Sequence, residues 1–130
     1  MKRVLVTGTM DILHIGHIRL LEYSKSLGDL LNVAIDSDDK VKKDKGESRP
    51  FNNQNDRKDF LLSIKVVDNV TIFSSEEDLE ELCRIYKPDI RVVGSDWKGK
   101  KIVGSEYCRE IVYFDRIGDY STSKILGNNR

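Results

Sequence analysis

Two histidines, three residues apart, are the side chains of this sequence best suited to chemistry, and they are its only histidines. His14 and His17 follow a short apolar run, Val4-Leu5-Val6, that leads to Gly8. A helix that starts here places both imidazoles on one face, and its N-terminus offers unpaired amide groups and a positive dipole end. Gly16, between the histidines, leaves room for a bulky anion. The pattern therefore favours a pair of imidazoles that grips a phosphate chain.

The spacing by itself leaves two other interpretations open. Histidines three residues apart also occur as a metal pair that lacks its third ligand, or as two unrelated surface residues. Their position at a strand-to-helix turn after a glycine favours the phosphate site over a chance arrangement. Asp11, in the same turn, either fixes the turn by local hydrogen bonding or lies near a metal ion.

The elements that must position these residues follow from the hydrophobic pattern. Apolar runs alternate with segments of helical period, which is typical of βα units around a parallel sheet. Strands are predicted at residues 4–8, 30–35, 70–73, 89–93 and 111–114, and helices at 15–27, 55–64, 75–85 and 121–126. This order predicts one α/β domain over residues 1–130. We expect a Rossmann-like three-layer α/β/α sandwich with a mainly parallel sheet of about five strands.

A basic segment separates the second strand from the second helix. Residues 38–55 contain Lys40, Lys42, Lys43, Lys45 and Arg49 and show no apolar periodicity, so a long loop is predicted. Loops of this length are usually functional or disordered, although a charge-rich loop is most often only solvated. Ligands of such sheets bind at the carboxyl ends of the strands. Residues 8–17, 36–49, 94–101 and 116–123 should therefore converge on one crevice.

Composition excludes some classes of function. The 22 basic and 22 acidic side chains cancel, so the chain lacks the broad positive field that nucleic-acid binding requires. No apolar run approaches the ~20 residues of a membrane span, and no signal-peptide stretch is present. We expect a cytoplasmic protein that binds neither nucleic acid nor membrane. Cys83 and Cys108 lack CxxC spacing and are expected to be ordinary small packing residues.

The stretch GTMDILHIGHIRLLEYSKSLGD resembles the signature of the cytidylyltransferase-like nucleotidyltransferases, roughly G-T-F-D-x-x-H-x-G-H, and the likeness continues through GSDWKGK and STSK. Met10 stands where the family commonly has Phe, and an apolar Met should suffice for packing. The resemblance implies an enzyme that joins the nucleotide of a nucleoside triphosphate to a phosphorylated alcohol or sugar and releases pyrophosphate. It also implies Mg²⁺ bound with the triphosphate, and a homodimer.

The resemblance further implies roles for individual residues. His14, His17, Lys43 and Arg116 are expected to be catalytic, with Lys42 as the alternative to Lys43 because the register of the basic segment is uncertain. Nucleotide contacts are expected from Gly8, Thr9, Met10, Gly16, Gly94, Asp96, Ser121, Thr122 and Ser123, and acceptor contacts from Asp11, Lys45, Arg57 and Trp97. No protein ligand for the metal ion is identified.

Several of these residues are also compatible with a second role. The hydroxyls of Ser121, Thr122 and Ser123 are what a helix cap requires, and both roles can hold because a helix N-terminus itself binds phosphate. Trp97 either stacks on a base or caps the sheet, and Asp96 contacts either nucleotide or acceptor. Arg116 either clamps an anion or lies on the surface.

Two substrate assignments compete. GSDWKG and Arg116 resemble glycerol-3-phosphate cytidylyltransferase, whereas KGESRPFN and IVGS resemble the adenylyltransferase that makes ADP-heptose from a heptose 1-phosphate. CTP with a glycerol 3-phosphate-like alcohol is the favoured pair, and ATP with a heptose 1-phosphate is the alternative. A non-catalytic nucleotide-binding module is a further alternative, which the intact phosphate motif disfavours. The missing G-x-G-x-x-G fingerprint argues against a dinucleotide redox enzyme.

Overall fold

The computed structural model describes residues 1–115. Its strands are β1 (Arg3–Gly8), β2 (Leu30–Asp36), β3 (Asn69–Phe73), β4 (Ile90–Gly94) and β5 (Glu110–Phe114). Its helices are α1 (Ile15–Ser26), α2 (Asp38–Lys45), α3 (Gln54–Leu62) and α4 (Glu76–Tyr86), and short 3₁₀ turns span Ser95–Trp97 and Ser105–Tyr107. Five strands and three helices lie where the apolar pattern predicted them, within a few residues.

The five strands form one sheet in the order β3-β2-β1-β4-β5, and every neighbouring pair is parallel. The strand order reverses at β1, between β2 and β4. Ligands of doubly wound sheets bind at such a reversal, outside the carboxyl ends of the strands. The predicted Rossmann-like α/β fold is confirmed, and its expected ligand position is the segment that follows Gly8.

Apolar side chains on the two faces of the sheet form two cores. Val4 and Val6 of β1 pack in one cluster with Leu21 of α1 and Leu61 of α3. Leu5, which points to the other face, packs with Leu79 and Cys83 of α4. Because successive side chains of a strand alternate between faces, this strand contributes to both cores. The result is the predicted three-layer arrangement, with helices on both sides of the sheet.

The long loop predicted at residues 38–55 is wrong in its first half, because α2 occupies residues 38–45. Ser37 caps this helix by accepting the amide hydrogen of Lys40 at 3.2 Å. Acidic residues fill the first turn and lysines the last, which complements the helix dipole. Val41 is the only buried residue of α2, so no apolar period marks it. Within residues 1–115, no helix has the length and apolar character needed to cross a membrane.

Candidate active site

A cleft of about 580 Å³ opens at the carboxyl edge of the sheet. Three of the four segments predicted to converge contribute to its lining, through residues that include Gly8, Thr9, Asp36, Lys45, Gly94 and Trp97. The fourth segment, residues 116–123, lies outside the described residues, and with it Arg116, Ser121, Thr122 and Ser123. The cleft therefore lies where the strand order reverses, as expected for a ligand site in this fold.

The two histidines form the N-terminal cap of α1. His14 is the N-cap residue, and its Nδ1 accepts the amide hydrogen of Gly16 at 3.0 Å. His17 Nδ1 accepts the amide hydrogen of His14 at 3.2 Å, which completes a reciprocal capping box. The ring centroids are 4.0 Å apart. The pair is thus held on one side of the helix N-terminus by backbone hydrogen bonds.

This capping fixes the tautomer of both rings. A ring nitrogen that accepts an amide hydrogen carries no proton, so each neutral imidazole bears its proton on Nε2 and donates from there. Burial, together with the neighbouring His14, lowers the pKa of His17 from 6.5 to about 4. At neutral pH His17 is therefore a neutral hydrogen-bond donor beside the positive end of a helix, which suits it to bind a phosphate oxygen.

Gly8 and Met10 shape the turn between β1 and α1. Met10 adopts a left-handed backbone conformation with φ of 54°, and its side chain is buried in the core. A Cβ atom on Gly8 would lie 3.1 Å from Met10 Cε, closer than most real contacts. Gly8 therefore leaves the space that the Met10 side chain occupies, which supports the packing role expected for Met10.

Asp11 ties this turn to the loop before α3. Its carboxylate is buried and accepts the amide hydrogens of Phe51 and Asn52, both at 2.7 Å. Arg49 Nε lies 3.4 Å from the same carboxylate. With both oxygens engaged by protein donors, the geometry favours the structural role over contact with an acceptor or a metal ion. The partners lie far along the chain, so the anchoring is not the local turn expected from the sequence.

Arg57 has a different role from the acceptor contact expected of it. Its side chain is 0% exposed, and its guanidinium donates to the carbonyl oxygens of Asn52, Thr9 and Asp36 at 3.0, 2.9 and 2.7 Å. It also pairs with Asp38 Oδ1 at 2.9 Å. These contacts leave the group no access to an acceptor phosphate. Arg57 instead joins the ends of β1 and β2 to α2 and α3.

The lysines of α2 divide into two sets. Lys45 and Lys40 line the cleft, together with Asp44, whereas Lys43 is not part of the lining. Because helical residues rotate by about 100° each, Lys43 lies on the face opposite the buried Val41. The structure therefore does not support the catalytic position expected for Lys43, or for the exposed Lys42. Burial lowers the pKa of Lys45, and the charge of Arg49 lowers it further.

The segment after β4 supplies the far wall of the cleft. A Cβ atom on Gly94 would lie 2.6 Å from Asp96 Oδ1, so the carboxylate folds back over the strand end. Trp97 is 47% exposed and lines the cleft, and Lys100 Nζ lies 5.9 Å from its ring centroid. This exposure favours stacking on a ligand over capping of the sheet.

Sequence reasoning missed two cations. Arg91 lines the cleft from the middle of β4 and is almost fully buried. Arg49 is also buried, and its Nε and Nη2 have no hydrogen-bond partner within residues 1–115. Arg91 is the one charged residue in the strand Ile90–Gly94. Because a buried charge requires a partner, this position could have identified Arg91 as a candidate site residue.

The arrangement as a whole can bind two phosphorylated ligands side by side. The capped helix N-terminus presents two imidazole donors. Gly8 and Thr9, which precede it in the chain, line the cleft together with Lys40, Lys45 and Arg91, whereas His14 and His17 are not among the lining residues. The helix N-terminus favours anions through the helix dipole, and the cleft combines its three cations with the carboxylates of Asp36, Asp44, Glu76 and Asp96. Such a site can align two phosphates for transfer between them.

Comparisons with known proteins agree with this interpretation. The chain is 47% identical over 131 residues to the bifunctional protein HldE of Nitratiruptor sp., and 45% identical over 123 residues to that of Campylobacter fetus. These alignments cover 99% and 95% of this chain but only 28% and 27% of the relatives. The chain therefore spans about a quarter of the length of these curated relatives.

A solved structure is also similar. The crystal structure of the lipopolysaccharide core biosynthesis protein from Thermoplasma volcanium matches with a TM-score of 0.68 and 34% identity, over 93% of this chain and 99% of that one. The sequence profile of the cytidylyltransferase-like family matches residues 5–125. The match includes the imidazole pair, the cleft and the sheet that carries them, and the chain belongs to the cytidylyltransferase-like family of nucleotidyltransferases.

Proposed function

We propose that this chain transfers the adenylyl group of ATP to the phosphate of a heptose 1-phosphate, giving an ADP-sugar and pyrophosphate. The observation that carries the transfer itself is the imidazole pair at the N-terminus of α1, the helix that follows the cleft residues Gly8 and Thr9 in the chain. The Nε2 donors of the two rings and the helix dipole together stabilise a polyphosphate.

The choice of ATP over CTP rests on the relatives. CTP with a glycerol 3-phosphate-like alcohol is the pair that GSDWKG and Arg116 favour, but the similar curated proteins are HldE proteins. The similar solved structure is named for lipopolysaccharide core biosynthesis. The segments KGESRPFN and IVGS resemble the ADP-heptose enzyme. The similarities to these proteins therefore support the adenylyl assignment over the glycerol phosphate assignment.

The proposed reaction is a single in-line displacement. An oxygen of the acceptor phosphate attacks the α-phosphorus of ATP, and the bond from that phosphorus to the bridging oxygen breaks as pyrophosphate leaves. No covalent enzyme intermediate is needed, so catalysis is positioning together with charge stabilisation. His14 and His17 would donate to the phosphates of ATP, while Lys45 and Lys40, which line the cleft, would hold the acceptor.

Mg²⁺ is proposed to enter with the triphosphate. The carboxylates of Asp36, Asp44, Glu76 and Asp96 line the cleft, but residues 1–115 contain no group of three or more side chains that could form a metal cage. This fits Mg²⁺, which is usually held by one or two carboxylates and by substrate phosphates. When bound, the ion would offset negative charge on the phosphate oxygens. Asp36 and Asp96 are the carboxylates closest in sequence to strand ends of the site.

The proposal is tested first by nucleotide preference. Thermal unfolding is measured with ATP and with CTP, each with MgCl₂, because a ligand at about 100 times its Kd adds ~2.7 kcal/mol of apparent stability. Pyrophosphate release is then measured with heptose 1-phosphate, other sugar 1-phosphates and glycerol 3-phosphate. We expect stabilisation by ATP and turnover with heptose 1-phosphate.

Other outcomes discriminate between the alternatives. Stabilisation by CTP with turnover on glycerol 3-phosphate would replace the adenylyl assignment with the cytidylyl one. Stabilisation by either nucleotide without pyrophosphate release from any acceptor would indicate a non-catalytic nucleotide-binding module. Light scattering during the same measurements tests the homodimer that the family resemblance implies.

A further inference from the structure

Two cysteine thiols meet behind the far wall of the cleft, although their spacing in sequence predicts no pairing. Cys83, on α4, is fully buried, and Cys108, after the turn Ser105–Tyr107, is partly exposed. Cys108 packs against the apolar cluster that contains Cys83. The two side chains thus lie in one cluster, one of them partly exposed and the other buried.

Gly104 makes this meeting possible. It has a left-handed conformation with φ of 82°, and a Cβ atom there would lie only 2.6 Å from Cys83 Sγ. Cys108 Sγ donates to the carbonyl oxygen of the same glycine at 3.5 Å. Because Gly104 has no side chain, both sulfur atoms approach its backbone, and nothing from that residue separates them.

Arg91 places a positive charge against the two thiols. Its Nη1 lies 3.7 Å from Cys83 Sγ and donates to the carbonyl oxygen of Val103 at 2.7 Å. The guanidinium is buried, and no carboxylate within residues 1–115 lies within ion-pair distance of it. A buried cation without a carboxylate partner favours a nearby thiolate.

The thiols differ in acidity. The hydrogen bond from Cys83 lowers the pKa of Cys108 to about 7, and the charge of Arg91 lowers it too, against the opposing effects of burial and Glu106. The hydrogen bond to Cys108 raises the pKa of Cys83, and burial raises it further. A partly exposed thiolate beside a buried thiol is the arrangement of an attacking and a resolving cysteine.

We propose that Cys83 and Cys108 form a thiol–disulfide exchange site whose substrate is a low-molecular-weight disulfide such as oxidised glutathione. The Cys108 thiolate attacks one sulfur of that disulfide, which forms a mixed disulfide and releases one thiolate. Cys83 then loses its proton to solvent and attacks Cys108 Sγ, which releases the second thiolate. The protein dithiol is oxidised to a disulfide, and the small disulfide is reduced to two thiols.

The bond would connect α4 to the segment that contains Ile102 and Val103. Both residues line the cleft, so the cross-link would fix one of its walls. It would also remove the thiolate beside Arg91, which lines the same cleft. This site depends only on the positions of the three side chains and stands whether or not the proposed adenylyl transfer is correct.

The test is oxidation of the reduced chain with glutathione disulfide at neutral pH, followed by intact mass and by a non-reducing peptide map. We expect a mass loss of two hydrogens, loss of both free thiols, and a linked peptide pair that contains Cys83 and Cys108. A wild-type chain that keeps both thiols, or that stops as a stable glutathione adduct, would overturn the proposal.

Two single variants separate the roles of the cysteines. Cys83→Ser keeps a hydrogen-bond donor beside Cys108 and should accumulate one glutathione on Cys108, because no resolving thiol remains. Cys108→Ser should stay unmodified while folded, as judged by far-UV circular dichroism. The rate of adduct formation in Cys83→Ser should rise with pH around 7, below the value near 8.5 of a free cysteine. Equal reactivity of Cys83 in Cys108→Ser would contradict the assignment.

Discussion

Asn52 donates two hydrogen bonds of 2.7 Å to Asp11, a residue 41 positions away in the sequence. The Asn52 amide hydrogen binds the Asp11 carboxylate, and the Asn52 side-chain amide donates to the Asp11 carbonyl oxygen. The turn that presents the histidines is therefore held to the loop before α3. The geometry of the turn therefore depends on contacts between two segments that are distant in the sequence.

Asp11→Asn should destabilise the fold by about 3 kcal/mol, because the change keeps the shape but not the acceptor chemistry. The new Nδ2 donor would face donors, either the amide hydrogen of Phe51 or that of Asn52. The buried Arg49 would also lose its only ion-pair partner within residues 1–115. Urea unfolding at neutral pH measures the difference.

Asp59→Asn is the matched control, since Asp59 is an exposed residue of α3. Its unfolding free energy should stay within about 0.5 kcal/mol of the wild type. Equal effects of the two substitutions would show that the buried Asp11 carboxylate does not anchor the turn.

Protonation of His17 should destabilise the folded state below neutral pH. Its pKa is lowered from 6.5 to about 4 in the folded chain, so between these values the unfolded chain binds more protons. The contribution of His17 to stability is thus fully present above pH 6.5 and declines as the pH falls towards 4. Because the ring is partly exposed, we expect a loss of about 1–2 kcal/mol.

His17→Gln isolates this effect. Glutamine is a standard partner at the third helical position of a capping box and does not titrate. The variant should unfold like the wild type at pH 7 but lose less stability as the pH falls. Urea unfolding of both chains at intervals between pH 4 and pH 7 gives the comparison. Parallel pH profiles would show that His17 titrates normally in the folded state.

The sheet and the position of the cleft were predictable because their signals are local. Val4, Val6 and Val33 belong to apolar runs bounded by polar or glycine residues, and the parallel order fixes which strand ends meet. His14 and His17 were recognisable from their types, their spacing and the preceding glycine. Each of these inferences uses residues that are close together in the sequence.

What the sequence pattern did not disclose depends on distant contacts or on weak periodicity. The burial of Arg57 follows from carbonyl oxygens of three separate segments, which neither its basic type nor the family resemblance that suggested a phosphate ligand could disclose. Helix α2 has a single buried residue, Val41, and its local signals are only the capping residues Ser37 and Gly46 and the charges of its first and last turns. Without a predicted helix, the sequence could not indicate which of these lysines face the cleft.

Lys45→Ala should lower kcat/KM for the phosphorylated acceptor by about 10-fold or more, because a charge-assisted hydrogen bond contributes ~1.5–3 kcal/mol. Lys45 lines the cleft, whereas Lys43 lies outside it on the same helix. Lys43→Ala is therefore the matched control and should stay within about twofold of the wild type. Pyrophosphate release at varied acceptor concentration measures both. The reverse order of effects would restore the catalytic role first expected for Lys43.

The histidines have two roles, capping α1 and binding phosphate, and conservative variants separate them. His14→Asn keeps an N-cap acceptor, and His17→Gln keeps the capping box, but neither retains an imidazole Nε2 donor. Each should lower kcat at least ~100-fold, by analogy with the loss of one oxyanion-hole donor.

The unfolding free energy of both variants should stay within about 0.5 kcal/mol of the wild type at pH 7, because the backbone amides of His14 and Gly16 keep their acceptors. Turnover is followed by pyrophosphate release at saturating nucleotide and acceptor, so that weaker binding does not mimic slower chemistry. Near-wild-type kcat in both folded variants would exclude the imidazoles from the reaction and leave them only their capping role.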